Sequence, residues 1–246
     1  MYLTTRGLVL RVTDYNDRDS LLTLLTPHHG KLTVKARGLR RKNSPLTAPC
    51  QLLAYGEFTL FEYRGSYSIN EAASVELFQQ LRRDLQKLSL GIYFAQVTEV
   101  LSQEDMPSPE LLSLVLNCLY ALTTGEFEPK VKAVFELRAA CLTGYMPDLS
   151  GCHLCGMDNA DYFDLSSGVL ECRRCRSFEQ NGIRLPVSAG TVQAMRYVCS
   201  CGSKRLFSFG LGEENMLQLS QITEAYLTTQ LERGFSTLDF YKSLLI

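Results

Sequence analysis

Four cysteines carry the densest chemistry in this chain. Cys152 and Cys155 form one C-x2-C pair, and Cys172 and Cys175 form a second after the intervening residues 156–171. Two such knuckles at this separation bring four thiolates to the corners of a tetrahedron, the geometry of a closed Zn²⁺ site. With sulfur at every position the ion has no place for a reactive water, so the pattern reads as one structural Zn²⁺ per chain. His153 lies between the first two ligands and is expected to face solvent. Between the knuckles, Gly156 and Asp158-Asn159 supply turn residues, Tyr162 to Leu165 a strand, Ser166-Ser167-Gly168 a reversal and Val169-Leu170 the return. This is the layout of a zinc ribbon.

The competing readings of the four cysteines are buried thiols or two disulfides. Disulfides suit an exported chain. Residues Met1 to Arg6 show no apolar run before a small-residue cleavage site. The longest apolar stretch, Leu111 to Leu122, is too short to span a bilayer and contains Ser113 and Asn117. The cysteines number nine, an odd count, and Cys50, Cys118, Cys141, Cys199 and Cys201 do not form knuckle pairs. A reducing cytoplasm with one metal site and free thiols elsewhere is the simplest expectation, with no membrane association. Cys199-Ser200-Cys201 is the one rival source of ligands and reads as thiols at a helix end.

The second chemical feature is electrostatic. The net charge is only −1, yet residues 20–56 contain no Asp or Glu while holding Lys31, Lys35, Arg37, Arg40, Arg41 and Lys42. Cations concentrated in one segment create a local potential that the net charge conceals. In Lys31 to Arg37, strict alternation sends Leu32, Val34 and Ala36 to one face of a strand and Lys31, Thr33, Lys35 and Arg37 to the other. A row of cations on a strand, continued by Arg40-Arg41-Lys42, suits a phosphate backbone. A solubilising edge strand with a basic loop is the bland counterpart.

The elements that must position these groups follow from periodicity. Five short β-prone runs (7–12, 20–26, 31–37, 58–63 and 67–72) are separated by turn signals at 14–19, 27–30, 38–49 and 64–66. Five strands in about eighty residues suit a small Greek-key barrel of the OB type, with an SH3-like barrel as the alternative. Beyond it the pattern turns helical. Val75 to Gln103 carries an apolar stripe with a break near Asp84. Ser108-Pro109-Glu110 starts a helix to about Thr124, and another runs from Pro129 to about Thr143. Helices from Ser188 to Cys199, Glu213 to Arg233 and Ser236 to Leu245 follow the ribbon. The expected architecture is α+β and multidomain. Residues 1–80 form an OB-fold nucleic-acid-binding domain, and 81–246 an all-α domain with a four-cysteine zinc ribbon inserted at 150–180.

No catalytic constellation accompanies these parts. The chain lacks a G-x-x-x-x-G-K-[ST] phosphate loop, H-E-x-x-H, the zinc-deaminase pair of motifs and a G-x-S-x-G elbow. The acid pairs Glu104-Asp105 and Glu213-Glu214 fall at helix ends, where dipole complementation accounts for them. A non-enzymatic protein with no small-molecule substrate is the expectation.

The order of parts resembles the bacterial RecO recombination mediators along nearly the whole chain. The residues that carry the likeness are Arg6-Gly7-Leu8-Val9-Leu10, Tyr15 with Asp19, Gly30-Lys31, and Ala36-Arg37-Gly38-Leu39-Arg40-Arg41-Lys42-Asn43-Ser44. They continue with Gly144-Tyr145-Met146-Pro147-Asp148-Leu149 leading into Cys152-His153-Leu154-Cys155-Gly156, then Cys172 and Cys175, and the tail Leu231 to Leu238. The resemblance implies an OB fold, a helical domain with an inserted zinc ribbon, and a role in DNA repair by homologous recombination. It implies binding to single- and double-stranded DNA and annealing of strands coated with single-stranded-DNA-binding protein. It further implies contact with that protein's acidic C-terminal tail and cooperation with RecR in loading RecA. Arg173, Arg174 and Arg176 in the ribbon form a possible second basic spot. The alternatives are a zinc-ribbon and OB factor in transcription or translation, and the OB and four-cysteine portion of a DNA ligase, which lacks its nucleotidyl-lysine motif here.

Overall fold

Alternating apolar and polar residues close the N-terminal segment into a barrel. The computed structural model describes residues 1–175 and 182–245. Strands β1 (Tyr2–Asp14), β2 (Ser20–Thr26), β3 (Gly30–Ala36), β4 (Tyr55–Tyr63) and β5 (Ser66–Glu76) pair in the order β1-β2-β3-β5-β4, with β4 returning to β1. All pairings are antiparallel except β3 with β5. This closed five-strand order is OB-like. Inward-pointing Val9, Leu22, Leu24, Leu32, Val34, Ala36, Phe58, Leu60 and Ile69 fill the interior, so every other residue of β3 and β4 is left facing outward.

The strands run longer than the sequence pattern indicates, and one expected helix start is wrong. Val75 and Glu76 belong to β5, where Glu76 pairs with Tyr55, and only a short 3-10 turn at Gln79–Arg83 follows. Leu77 and Leu81 fit a helical stripe, but sheet pairing overrides that local preference. The break near Asp84 is real. Its carboxylate accepts hydrogen bonds from the Gln86 and Lys87 amides and caps α1 (Leu85–Leu101).

The chain divides into two compact units, residues 1–123 with 235–246, and residues 124–234. The first contains the barrel, α1, α2 (Pro109–Thr124) and a C-terminal helix, Ser236–Ser243, that packs against α1. There the Phe235 ring meets the buried Tyr93 ring edge-on at 5.7 Å, and Gln86 Nε2 donates to the Leu244 carbonyl at 2.8 Å.

The second unit contains α3 (Glu128–Leu142), the ribbon strands β6 (Asp148–Cys152), β7 (Tyr162–Asp164), β8 (Val169–Glu171) and β9 (Arg184–Pro186), then α4 (Ala189–Ser200) and α5 (Glu213–Gln230). The ribbon sheet has the order β6-β8-β7-β9. Its β7–β8 reversal needs glycine at 168. There φ is +69° and an added Cβ would lie 2.6 Å from the Tyr226 hydroxyl. The α4 start is as the sequence indicates, with Ser188 Oγ accepting the Thr191 amide at 3.1 Å. Between α3 and α5, the buried Lys132 ammonium pairs with Glu136 at 3.0 Å and Glu224 at 2.8 Å. Among the described residues, no helix is long and apolar enough to cross a membrane.

Candidate nucleic-acid interface and metal centre

The outer face of β3 is built by alternation and widened by register. Leu32, Val34 and Ala36 are buried, Thr33 and Arg37 are exposed, and Lys31 and Lys35 are partly exposed. Lys35 pairs with Ser68 of β5, Ser68 with Phe61 of β4, and Phe61 with Tyr2 of β1. Directly paired residues project to the same side of a sheet, so Lys35, Ser68, Phe61 and Tyr2 form one row across four strands. The Tyr2 and Phe61 rings stand 5.4 Å apart, and Tyr63, two residues beyond Phe61, is 60% exposed. The two-residue hairpin at Arg64-Gly65, with φ of +50° and +74°, turns β4 into β5 and sets the Arg64 guanidinium 5.3 Å from the Tyr63 ring centre. Lys35, Arg37, Phe61, Tyr63, Arg64 and Tyr67 thereby line a cleft of about 370 Å³. Cations for phosphates and exposed rings for bases are the two requirements of a single-strand site, and the strand-3 face and β4–β5 loop are where OB barrels carry such sites.

The six cations are not equivalent. Lys31 Nζ donates to the Glu99 carbonyl at 2.9 Å, tying β3 to α1. Lys35 Nζ lies 3.4 Å from Asp19 and 4.4 Å from the Tyr15 ring centre. Arg40 pairs with Asp14 at 3.4 Å and donates to the Asn16 carbonyl. Arg37, Arg41 and Lys42 are exposed, with no side-chain hydrogen bond or ion pair among the described residues. The β1–β2 loop is what divides the set. Asn16 Oδ1 accepts the Arg18 and Asp19 amides, which folds the loop back onto the basic segment, and Asp19 Oδ1 accepts the Gly38 amide at 2.9 Å. The Gly38 amide, Asn16 and Lys35 together hold the Asp19 carboxyl below its usual range.

The metal centre is compact. The four sulfurs of Cys152, Cys155, Cys172 and Cys175 all lie within 4.8 Å of one another, and Cys155 Sγ is 3.8 Å from Cys172 Sγ. Zn–S bonds of about 2.3 Å in a tetrahedron place sulfurs about 3.8 Å apart, so the residues fit a four-thiolate ion. Gly156 at φ +72° turns the first knuckle and donates its amide to the Cys152 carbonyl at 2.7 Å. The Cys172 amide donates to Cys152 Sγ at 3.3 Å. Burial opposes ionisation of Cys152, but amide donors from Cys172, Cys155 and Leu154 outweigh it and bring the thiol down to about 6. Hydrogen bonding to the Cys155 and Cys172 thiols pushes Cys175 up to about 12. Four thiolates this close repel one another unless a cation joins them. His153 is exposed, as its position between the ligands indicates. Arg173 and Arg174 are exposed, and Arg176 lies outside the described residues.

Comparison with known proteins adds an independent line. A family model described as "Recombination protein O N terminal" matches residues 1–78, and one described as "Recombination protein O C terminal" matches residues 82–239. The chain belongs to the RecO family. It is 31% identical over 246 residues to the DNA repair protein RecO of Acetivibrio thermocellus, covering 99% of this chain and 97% of that one. It is 28% identical to DNA repair protein RecO of Alkaliphilus metalliredigens, covering 99% and 100%, and 28% identical to that of Bacillus subtilis, covering 92% and 88%. Membership in RecO places the chain in DNA repair.

On this RecO-family barrel, sequence periodicity finds the cations and misses the aromatics. Tyr2, Phe61, Tyr63 and Tyr67 read as ordinary strand residues. The available signal was their parity: Phe61 and Tyr63 alternate with the buried Phe58 and Leu60 only if two large rings face water. Asp14 at the end of β1 and Asp17 and Asp19 in the β1–β2 loop were visible too, just upstream of the acid-free window.

Proposed function

We propose that this RecO-family chain is a DNA-binding recombination mediator. It anneals complementary single strands coated with single-stranded-DNA-binding protein and, together with RecR, promotes RecA loading on the RecF pathway. In this reading residues 1–80 are the nucleic-acid-binding domain, and Lys31, Lys35, Arg37, Arg40, Arg41 and Lys42 supply its basic side. The observation that carries the proposal is the cleft where Lys35 and Arg37 meet the exposed rings of Phe61 and Tyr63. Phosphates lie against the cations while bases stack on the rings, a mode that tolerates any sequence. Arg37, Arg41 and Lys42 provide the unpaired positive charge, and Lys35 becomes available as DNA phosphate competes with Asp19.

Annealing on such a surface needs no covalent chemistry. It needs phosphate repulsion screened while two strands find register, and a contact with the protein already coating them. The resemblance to RecO makes that contact the coating protein's acidic C-terminal tail, and the action takes place in the cytoplasm. Cys152, Cys155, Cys172 and Cys175 hold one Zn²⁺, which supplies structural cross-linking when bound. The chain's own residues shape the knuckles and keep the ribbon strands in register.

A fluorescence assay of annealing between coated complementary strands tests the proposal. Annealing proceeds without ATP and slows when the coating protein lacks its acidic tail. Equal rates with full-length and tail-deleted coating protein, or a requirement for ATP, would overturn it.

A further inference from the structure

Outside the metal centre, α3 and α4 bring a second pair of sulfurs together. Cys141, near the C-terminal end of α3, has its Sγ 3.5 Å from the Sγ of Cys199, near the end of α4. Both are half-buried, whereas Cys50 and Cys118 are fully buried and burial pushes the thiol of Cys50 up to about 12. Arg138 lies one helical turn before Cys141. Its guanidinium is anchored on the Val198 and Cys199 carbonyls, which fixes a positive charge beside the two sulfurs. The other titratable groups facing the pair are Cys201, whose thiol donates to the Val198 carbonyl at 3.7 Å, and the Tyr226 phenol, which donates to the Tyr145 carbonyl at 3.0 Å.

We propose that Cys141 and Cys199 are a peroxide-oxidisable dithiol that closes to a reversible disulfide. A bond of about 2.05 Å requires the sulfurs to approach by roughly 1.5 Å, a movement within reach of side-chain rotation. Cys141 is the attacking sulfur. In the protonated pair its S–H donates to Cys199; once ionised it accepts from the Cys199 thiol, which together with the Arg138 charge and against the effect of burial holds Cys141 below the ordinary thiol range. Hydrogen bonding with Cys141, with burial behind it, pushes Cys199 the opposite way. The Cys141 thiolate attacks one oxygen of hydrogen peroxide and the O–O bond breaks. The departing hydroxide takes a proton to become water, leaving a sulfenic acid on Cys141. The Cys199 sulfur then attacks that sulfur, its proton leaves, the S–O bond breaks and a second water departs. Two thiols are oxidised by two electrons and one peroxide is reduced to two waters.

The cross-link has a structural consequence in the second unit. All four ribbon strands lie in sequence between Cys141 and Cys199, so the disulfide closes the ribbon into a covalent loop at the ends of its two flanking helices. A thiol reductant reopens it.

The test uses the zinc-loaded full chain treated with stoichiometric hydrogen peroxide, then alkylated and mapped by peptide mass spectrometry. The expected product is a single Cys141–Cys199 cross-link that disappears on adding dithiothreitol. Its formation survives Cys201→Ser and is abolished by Cys141→Ser. The thermal midpoint of the oxidised form rises by roughly 5–10 °C over the reduced form. In a separate measurement, phenylarsine oxide, which bridges neighbouring thiols, binds one equivalent on this pair and none in Cys199→Ser. A cross-link between Cys199 and Cys201, one involving the ribbon cysteines, or sulfinic acid at Cys141 with no disulfide would each overturn the proposal.

Discussion

The ribbon and the outer face of the barrel use polar groups in opposite ways. In the ribbon the four cysteine sulfurs and the Arg184 ion pairs are answered by other parts of the ribbon. Four sulfurs face one another, and the Arg184 guanidinium, only 6% exposed, sits 2.8 Å from Glu171 and 3.5 Å from Asp164. On the barrel face the answers are incomplete. Asp19 and Asp14 engage Lys35 and Arg40, while Arg41 and Lys42 are exposed and Arg37 lines the cleft with the exposed rings of Phe61 and Tyr63. A saturated cluster holds its own fold together. An unsaturated one of like charge and open aromatic surface gains free energy only when a partner arrives, and on the function proposed above that partner is a polyanion with flat bases.

The largest effects belong to the saturated region. Cys172→Ser removes one of four ligands, and the zinc content measured by atomic absorption falls from one per chain to near zero. Structural zinc contributes on the order of 10 kcal/mol in isolated fingers, and less where a larger core shares the load. Melting of the second unit therefore moves to lower temperature while the barrel keeps its circular dichroism. Zinc retained at full stoichiometry in a Cys152/Cys172 double serine variant would break the assignment. Arg184→Met is next in size. It leaves the Asp164 and Glu171 carboxylates buried and facing each other, a situation that costs about 3–5 kcal/mol. Denaturant unfolding followed by ribbon tyrosine signals reads this out. A loss below about 1 kcal/mol would mean that the ribbon is not held by saturation.

How much of each region was legible in the sequence follows from how each is built. The metal centre rests on four residues in two tight knuckles, so spacing alone locates it, and the strand between the knuckles emerges at Tyr162–Asp164 as read. Strands β6 and β9 escaped because their short segments have no alternation to detect; they exist by pairing with β8 and β7. The barrel face is assembled differently. Lys35 meets Ser68 and Phe61 through inter-strand register, and Asp19 reaches Lys35 and Gly38 through a folded loop. Local periodicity gives the outward parity of Lys35 and Arg37 but carries no information about which distant residues lie beside them. The same limit hid Cys141 from Cys199, which lie on different helices.

Two smaller effects sharpen the contrast on the open side. Tyr63→Ala removes a base platform and weakens single-strand binding by about 1–3 kcal/mol per base lost, with the salt dependence unchanged because no charge is removed. Fluorescence anisotropy on single strands and duplex reads this, and equal losses on both would show that Tyr63 does not stack on bases. Asp19→Asn acts in the other direction. It frees Lys35 without deleting a cation, so single-strand affinity rises modestly and the log–log salt slope steepens by up to about 0.7. The same substitution has a signature in acid. The native Asp19 carboxyl lies below its usual 3.8, so its contribution to stability is whole above that value and is lost as pH falls through the lower native value. Asp19→Asn therefore shows less acid destabilisation below about pH 4.

The most direct measurement is the salt slope of single-strand binding, compared per residue removed, for two sets of alanine substitutions. Alanine at Arg37, Arg41 and Lys42 removes the unpaired cations, and the slope falls by roughly 2, about 0.7 for each lost phosphate contact. Alanine at Lys31, whose ammonium is held on the Glu99 backbone carbonyl, and at Arg40, paired with Asp14, leaves the slope nearly unchanged at comparable folding. Equal slope losses per residue in the two sets, or an unchanged slope in the triple variant, would contradict a DNA face made of the barrel's unpaired charges.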